Sequence, residues 1–271
     1  MISSQTNDIG LVMTTAAIVI AALMLTTWLV SVALKNASIV DVVWGLGFVC
    51  VAWAVRLQVD TDSKRPNLLV AMTTIWGLRL AFHLFWRNHV AAATNKGEDY
   101  RYRAMRKRWG VRFPLISLVT VFLVQGVLMF VVSLPIQLGQ VSDNPTLGAL
   151  VWYGGAVYLI GLFFEVVGDA QLTRFRKDPA NAGTVMNKGL WRYTRHPNYF
   201  GDACVWWGIA LVAAATGYGR WGLIGALVMT VLLRRVSGVT LLEKSLSKRR
   251  AGYDEYVART NAFVPWRPKR T

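Results

Sequence analysis

A short polar stretch between two apolar segments concentrates the side chains best suited to chemistry. Residues 189–202 include arginines, a histidine, an asparagine, tyrosines and an acid. Pro197 disfavours helix at the residue before it, so we predict a helix beginning near Asn198. Arg195 and His196 would then lie at the amino end of this helix, where backbone amides and cationic side chains together bind anions. The stretch predicts a phosphate site. The alternative is a basic juxtamembrane loop that only sets topology.

Two acids precede this stretch on one predicted helical face. Glu165 and Asp169 are four residues apart, so they lie one turn apart on the same side of a helix. No lysine or arginine lies in the same turns, and the pair therefore needs a partner from elsewhere. Hydroxyl and amide groups of a ribose or nicotinamide would serve, as would arginines of the following loop such as Arg176. Acids for hydroxyls and bases for phosphates suit a nucleotide cofactor, although neither a G-x-G-x-x-G nor a Walker motif is present.

A second polar group is predicted within the membrane. Asp41 lies about one turn inside the second apolar segment. Arg79 and His83 share a helical face in the third segment, and Trp76 lies one turn above Arg79. Ionisable groups at such depth are costly and mark functional sites, and we predict that Asp41 pairs with Arg79. The alternatives are that Asp41 caps its helix and that the pair is a purely structural buried ion pair.

The elements that must position these groups are transmembrane helices. The chain is 54% hydrophobic and 16% charged, and its recurring apolar runs of about 20 residues suit helices that cross a bilayer. We predict an all-α, polytopic integral membrane protein with a single membrane domain over residues 1–271. Its seven predicted transmembrane helices span about 10–34, 39–57, 67–87, 114–134, 146–168, 199–216 and 219–236.

The charge of +16 is unevenly distributed. Seven Lys or Arg residues lie in 88–113, six in 170–198 and ten in 234–271, whereas the alternate loops hold few. The positive-inside rule places these basic loops in the cytoplasm and the N-terminus outside. Anionic lipid headgroups are sufficient partners for such residues, so no nucleic-acid partner is expected. The Arg-rich part of the loop 88–112 is predicted to be a surface helix on anionic lipid.

Cysteine and histidine usage excludes two further classes. Cys50 and Cys204 both fall within predicted spans, which implies no disulfide framework. Three histidines and two scattered cysteines form no metal-ligand cluster, and no metal is expected.

The C-terminal segment 237–271 is predicted to be cytoplasmic and to cover the site. Tyr253 and Tyr256 recur at helical spacing, which is typical of an amphipathic helix. Tyr256 is therefore a predicted cofactor contact. The tail around Pro265 and Trp266 would either fold over a cofactor ring or anchor at the membrane interface.

These motifs resemble the steroid 5α-reductase family, and more closely its bacterial branch. The resemblance rests on Glu165-x3-Asp169-x6-Arg176, on Arg195-His-Pro-Asn-Tyr-x-Gly-Asp202 and on the terminal tyrosines, and it covers about 230 residues. It implies a seven-helix protein of the bacterial inner membrane. It also implies that NADPH binds from the cytoplasmic side and that a C=C bond conjugated to a ketone is reduced in a lipophilic substrate.

The resemblance also implies roles for individual residues. The family's cofactor-binding positions fall on Glu165, Asp169, Arg176, Asn198 and Asp202. Further predicted cofactor contacts are Arg195, His196, Tyr199 and Tyr256. The acid of the second span falls on Asp41, and the family's catalytic tyrosine falls on Trp76. The predicted donors to the substrate oxygen are a protonated Asp41, then His83, then Arg79.

Two alternatives from other classes stay open. Arg-His-Pro-x-Tyr-x-Gly is also similar to the isoprenylcysteine carboxyl methyltransferases, which bind S-adenosylmethionine, although Glu165, Asp169 and Asp202 favour the reductase. The other alternative is a non-catalytic lipid-binding membrane protein that has the same fold. Steroid, polyprenyl, quinoid and fatty enones are all compatible with the sequence, as is any oligomeric state.

Overall fold

A computed structural model describes residues 2–61, 63–90, 97–141, 147–236, 243, 250 and 252–269, and within these ranges it describes the side chains of all but residues 2–8, 89, 90 and 236. Every regular element in the described ranges is helical. The prediction of an all-α chain is confirmed to this extent.

The helices are numbered in chain order. They are α1 (Ile2–Ala33), α2 (Ile39–Arg56), α3 (Arg65–Phe85), α4 (Tyr100–Trp109), α5 (Phe113–Ser117), α6 (Val124–Val132), α7 (Leu134–Leu138), α8 (Ala149–Lys177), α9 (Pro197–Ala214), α10 (Leu223–Val231) and α11 (Tyr253–Arg259). Three π-helical turns extend or join them: Trp86–Val90 after α3, Leu118–Leu123 between α5 and α6, and Leu232–Val236 after α10.

Five helical segments are long and apolar enough to cross a membrane. They are Ile9–Ala33, Ile39–Arg56, Arg65–Asn88, Tyr100–Val132 and Ala149–Lys177. They match the first five predicted spans, but the count of seven is not confirmed. The sixth predicted span is α9, which carries Asn198 and Asp202 near its start, and the seventh is the short α10 with its π-helical turn.

The fifth span continues further than the sequence predicted. The apolar run ends near residue 168, but α8 continues to Lys177. Arg176 is therefore on the helix rather than in a loop. It lies almost two turns beyond Asp169, at the end of the bundle where α3 also ends and α9 begins.

Glycines bring α8 and α9 into backbone contact. A Cβ atom added at Gly161 would lie 2.5 Å from the Val205 backbone nitrogen, and one added at Gly201 would lie 2.5 Å from the Glu165 nitrogen. Small residues allow this approach between membrane helices. The contact sets the register of the two helices and places the acids of α8 beside the first turns of α9.

The same device joins α2 to α3, where a Cβ atom at Gly45 would lie 2.5 Å from the Gly77 carbonyl oxygen. Phe48, Trp76 and Trp206 fill the adjoining core with edge-to-face contacts, and none of the three is exposed. These contacts fix α2, α3 and α9 around one aromatic centre.

Candidate functional site

The centre of the site is one arginine between two helices. Arg79 of α3 donates hydrogen bonds to the carboxylates of Glu165 and Asp169, and its Nη2 also donates to the Glu165 carbonyl oxygen at 3.0 Å. Asn198 Nδ2 of α9 donates to Asp169 Oδ1 at 3.0 Å. His83 Nε2 lies 3.5 Å from Asp169 Oδ2, close enough for an ion pair when the imidazole is protonated. Helices α3, α8 and α9 thus meet at these five side chains.

The predicted pairing of Asp41 with Arg79 is wrong. Asp41 Oδ2 accepts from Arg101 at 2.8 Å, and its Oδ1 accepts from the Tyr102 hydroxyl at 2.9 Å. Both residues belong to α4, which lies against the start of α2. Because both oxygens accept hydrogen bonds, Asp41 has the contacts of a carboxylate rather than of a protonated donor. Arg79 instead faces α8, where the acids Glu165 and Asp169 already lie.

Two acceptors in this cluster have no donor. Glu165, Asp169 and Asp202 are each at most 8% exposed. Glu165 Oε2 and Asp202 Oδ1 are buried and form no hydrogen bond with any described residue. A buried polar atom without a partner is costly. A ligand that brings hydroxyl or amide donors would satisfy both oxygens.

Trp76 forms a wall of the cluster. Its indole lies close enough to the carboxyls of Glu165 and Asp202 to interact with both, although Nε1 forms no hydrogen bond of normal geometry within the described part of the chain. The side chain is fully buried beside Phe48 and Trp206. An indole N–H can donate a hydrogen bond but does not give up its proton near neutral pH. The role of Trp76 is therefore to form a wall of the site.

Arg195 and His196 bind a protein carboxylate rather than open space. Arg195 holds Glu243 through two hydrogen bonds, from Nε to Oε1 at 2.8 Å and from Nη2 to Oε2 at 3.1 Å. Its Nη1 donates to the carbonyl oxygens of Val257 and Thr260. His196 Nε2 lies 3.2 Å from Glu243 Oε1. In this structure Arg195 and His196 hold the C-terminal segment. Both also line the cavity described below, and their predicted contact with a phosphate stays a prediction.

The Glu243 carboxylate reflects these contacts. Its partial burial would raise its pKa, but the hydrogen bonds from His196 and Arg195, together with their charges, lower the pKa to about 2. Glu243 is therefore ionised when it binds Arg195 and His196.

The amino end of α9 is also less open than predicted. Tyr199 N donates to Asn198 Oδ1 at 3.0 Å, so this amide is already bound. The Asn198 amide is covered by α8, because a Cβ atom at Gly168 would lie only 3.3 Å from Asn198 N. Pro197 has no N–H. The first turn of α9 therefore packs on α8 instead of presenting amides to an anion.

A cavity of about 230 Å³ lies beside Asp169 and Asn198. Four arginines line it: Arg195, which holds Glu243, and three others, Arg87 after α3, Arg176 on α8 and Arg250 before α11. Within the described ranges none of these three others forms a salt bridge. Arg250 donates to the Thr184 carbonyl at 3.2 Å and Arg87 to Asn88 Oδ1 at 3.1 Å. Arg87 and Arg250 both lie close enough to Arg176 for their positive charges to repel it. Like charges that converge on a cavity are stabilised by a bound anion.

Aromatic side chains line the rest of the cavity. The Tyr199 ring stacks on His196 with ring centroids 5.5 Å apart. Tyr253 and Tyr256 of α11 are buried against the same space, as predicted for a helix lying over the site, and the Tyr256 hydroxyl donates to the Trp191 carbonyl. Trp266 does not line this cavity.

The sequence prediction missed Arg87, Arg250 and Glu243. Arg87 had a usable signal, because it is four residues beyond His83 and continues the face that carries Arg79. Glu243 and Arg250 bind partners that are 48 and 66 residues away in the chain, so local spacing carries no signal for them.

Comparison with known proteins identifies a family to which the chain is similar. Residues 27–260 match a family described as "Protein of unknown function (DUF1295)". The chain belongs to the DUF1295 family. The DUF1295 match contains every residue of the arginine–acid cluster and of the cavity.

One similar protein is an uncharacterized protein of Schizosaccharomyces pombe. It is 23% identical over 266 residues, which cover 88% of this chain and 75% of the yeast protein. No solved structure matches the chain significantly. The family match therefore places the chain in DUF1295, and the comparisons assign no reaction to it.

Proposed function

We propose that the chain is a membrane-embedded NADPH-dependent reductase that acts on a C=C bond conjugated to a ketone in a lipophilic substrate. The observation that carries the proposal is the cavity. It is lined by three arginines that form no salt bridge with any described residue and by the acid–amide pair Asp169–Asn198. The resemblance of 165–202 to the steroid 5α-reductases agrees with it.

The residues present fit this cofactor by their chemistry. Arg87, Arg176 and Arg250 would hold its phosphates, and Asp169 and Asn198, which line the same cavity, would bind its hydroxyl or amide groups. The volume of about 230 Å³ is below the roughly 300–1,000 Å³ usual for ligand pockets. The cavity would therefore take only part of a dinucleotide.

When bound, NADPH supplies a hydride. The chain's part is to stabilise the negative charge that develops on the substrate oxygen as the β-carbon accepts that hydride. Asp41 is held by Arg101 and Tyr102, so His83 becomes the first candidate. In the protonated imidazole, Nε2–H would point to Asp169, which would orient the ring, and Nδ1–H would donate to the substrate oxygen. This proton would end on the product, where it balances the added hydride, and a neutral imidazole would remain.

The membrane placement belongs to the same proposal. Helix α9 and the segment Leu223–Val236 would be the sixth and seventh spans of an inner-membrane protein, with the N-terminus outside and the C-terminus cytoplasmic. The basic loops support this orientation, and it opens the cavity towards cytoplasmic NADPH.

Cofactor binding to the full chain in detergent tests the proposal. We expect Arg176→Gln to weaken NADPH binding by about 1.5–3 kcal/mol, because a hydrogen bond to a charged group is lost. The matched control is Arg174→Gln, which removes an exposed arginine of the same helix that does not line the cavity. Equal losses in both variants would contradict the proposal. So would S-adenosylmethionine binding in place of NADPH.

A further inference from the structure

A second and larger cavity lies on the other side of Tyr256. It measures about 1100 Å³ and is formed by the segment 187–193 and the C-terminal residues 252–269. Its basic side chains outnumber its acids by five to one. The basic residues are Lys188, Arg192, Arg259, Arg267 and Lys269, and the acid is Glu255. We call this cavity the basic groove.

An apolar cleft adjoins the basic groove and shares two residues with it. Tyr193 and Arg267 line both. The other walls of the cleft are Phe164, Leu190, Pro265 and Trp266. Phe164 belongs to the membrane-spanning helix α8, and its neighbour Phe163 is 54% exposed. The Phe163 ring lies 5.7 Å from the Phe164 ring, so the cleft adjoins exposed apolar surface of α8.

The pieces that form the groove and the cleft are joined by backbone hydrogen bonds. Trp266 N donates to the Tyr193 carbonyl oxygen at 2.9 Å, and Lys269 N donates to the Arg259 carbonyl oxygen at 2.9 Å. The tail therefore does not have to reorganise to form the groove. The Trp266 ring is still 70% exposed, so it has surface left to bury.

We propose that the groove and the cleft together bind one anionic phospholipid, with its phosphate among Arg192, Arg267 and Lys269 and an acyl chain against Phe164 and Trp266. Basic side chains at a membrane surface attract anionic headgroups, and tryptophan concentrates at the membrane interface. A soluble phosphate would leave the apolar cleft without a role, and an apolar anchor would not need five cations. An amphiphile uses both. The proposal does not depend on the reductase activity.

Lipid quenching of Trp266 tests this site. The full chain in neutral detergent is mixed with brominated phosphatidylglycerol or brominated phosphatidylcholine of the same chain length. Quenching of Trp266 is taken as the difference between the wild type and Trp266→Phe. We expect phosphatidylglycerol to quench at a concentration about tenfold lower, because the groove's cations select an anionic headgroup.

Charge variants locate the effect. Arg192→Gln/Arg267→Gln should lose the preference for phosphatidylglycerol, because two of the cations that select the anionic headgroup are removed. Both side chains are exposed, so the variant should fold, and its thermal unfolding verifies this. The matched control, Lys64→Gln/Arg220→Gln, removes two exposed cations at the other end of α3 and α9 and should keep the preference.

Three results would overturn the proposal. One is equal quenching by the two lipids. Another is an unchanged preference in the folded Arg192→Gln/Arg267→Gln variant. The third is displacement of phosphatidylglycerol by inorganic phosphate, which would make the groove a site for soluble anions.

Discussion

Arg79 binds two acids that lie one turn apart on α8, and the site depends on it more than on any other described residue. Its guanidinium binds both Glu165 and Asp169, and its side chain is 17% exposed. Removing one partner of such a group leaves buried charge without compensation, which is more costly than the pair itself is favourable. The residue therefore has a structural role whatever the reaction is.

We predict that Arg79→Met destabilises the folded protein by about 3–5 kcal/mol, nearer the lower value because the arginine is slightly exposed. Thermal or denaturant unfolding in detergent measures it. Arg174→Met serves as the control, since Arg174 is exposed and forms no salt bridge in the described residues. Unfolding of Arg79→Met at the wild-type midpoint would mean that the acids are neutral and that the pairing has little weight.

Glu243 predicts a pH dependence for docking of the C-terminal segment. Its pKa in the folded protein is about 2, below the ordinary 4.5. The lowered pKa means that its contribution is complete above about 4.5 and is lost as the pH falls towards 2. Hydrogen exchange at the Arg195 amide, which donates to the Asn261 carbonyl oxygen at 2.9 Å, should therefore accelerate as the pH falls through this window, relative to intrinsic exchange.

Glu243→Gln is the control for this effect. It should undock more readily at neutral pH and show a weaker change between about pH 4.5 and 2. An identical pH profile in the two proteins would assign the change to other carboxylates.

The sequence predicted the residues of the site better than their partners. Glu165, Asp169, Asn198 and Asp202 are brought together as expected, because helical spacing shows which side chains share a face. The spacing does not show which neighbouring helix that face meets. Arg79 could have met Asp41 on α2 but meets α8, and only the packing of α3 decides between them. Arg195 is a similar case, since its partner Glu243 is 48 residues away.

At the scale of the elements, the contact of α8 with α9 positions the site. The glycines that allow it were not singled out from the sequence, because single glycines in apolar segments have no distinguishing local pattern. Their effect is visible only where a backbone approaches, as at Gly161 and Gly201. A shift of either helix along the other would separate Asp169 from Asn198.

We predict that Gly161→Leu separates α8 from α9 and abolishes the site, because a Cβ atom there already meets the Val205 backbone at 2.5 Å. Cofactor retention and thermal stability should fall together. Gly155→Ala is the control on the same helix. A Cβ atom at Gly155 meets nothing within 4 Å, so this change should be neutral or stabilise the helix by up to about 1 kcal/mol. Native stability in Gly161→Leu would contradict the contact.

At the scale of the whole molecule, the site residues cluster at one end of the helices. Asp41, His83, Asp169 and Asn198 are at the end where α2 and α9 begin and where α3 and α8 end. The described basic residues of 97–113 and 170–198 adjoin the same end, as the charge distribution predicted. Composition was sufficient for the five long spans. It failed to settle the number of spans because α9 contains polar site residues and α10 is short.

Thiol accessibility tests the orientation. In a Cys50→Ala/Cys204→Ala background, an impermeant thiol reagent should label Gln58→Cys from outside intact cells. The same reagent should label Glu255→Cys only in inverted membrane vesicles. Both positions are exposed and lie at opposite ends of the bundle. Labelling of Glu255→Cys in intact cells would place the basic loops outside.

The link between Arg195 and the tail has a consequence for biosynthesis. Arg195 Nη1 donates to the Thr260 carbonyl oxygen, 65 residues later in the chain. At a translation rate of about 5–20 residues per second, a ribosome needs roughly 3–13 seconds to make that interval. Helices α1 to α9 are therefore synthesised before the groups that hold Arg195 exist. A nascent chain stalled before Thr260 would be inserted yet would leave its cavity open to solvent, and in that interval the uncovered Arg195 and His196 would be accessible to chaperones and proteases.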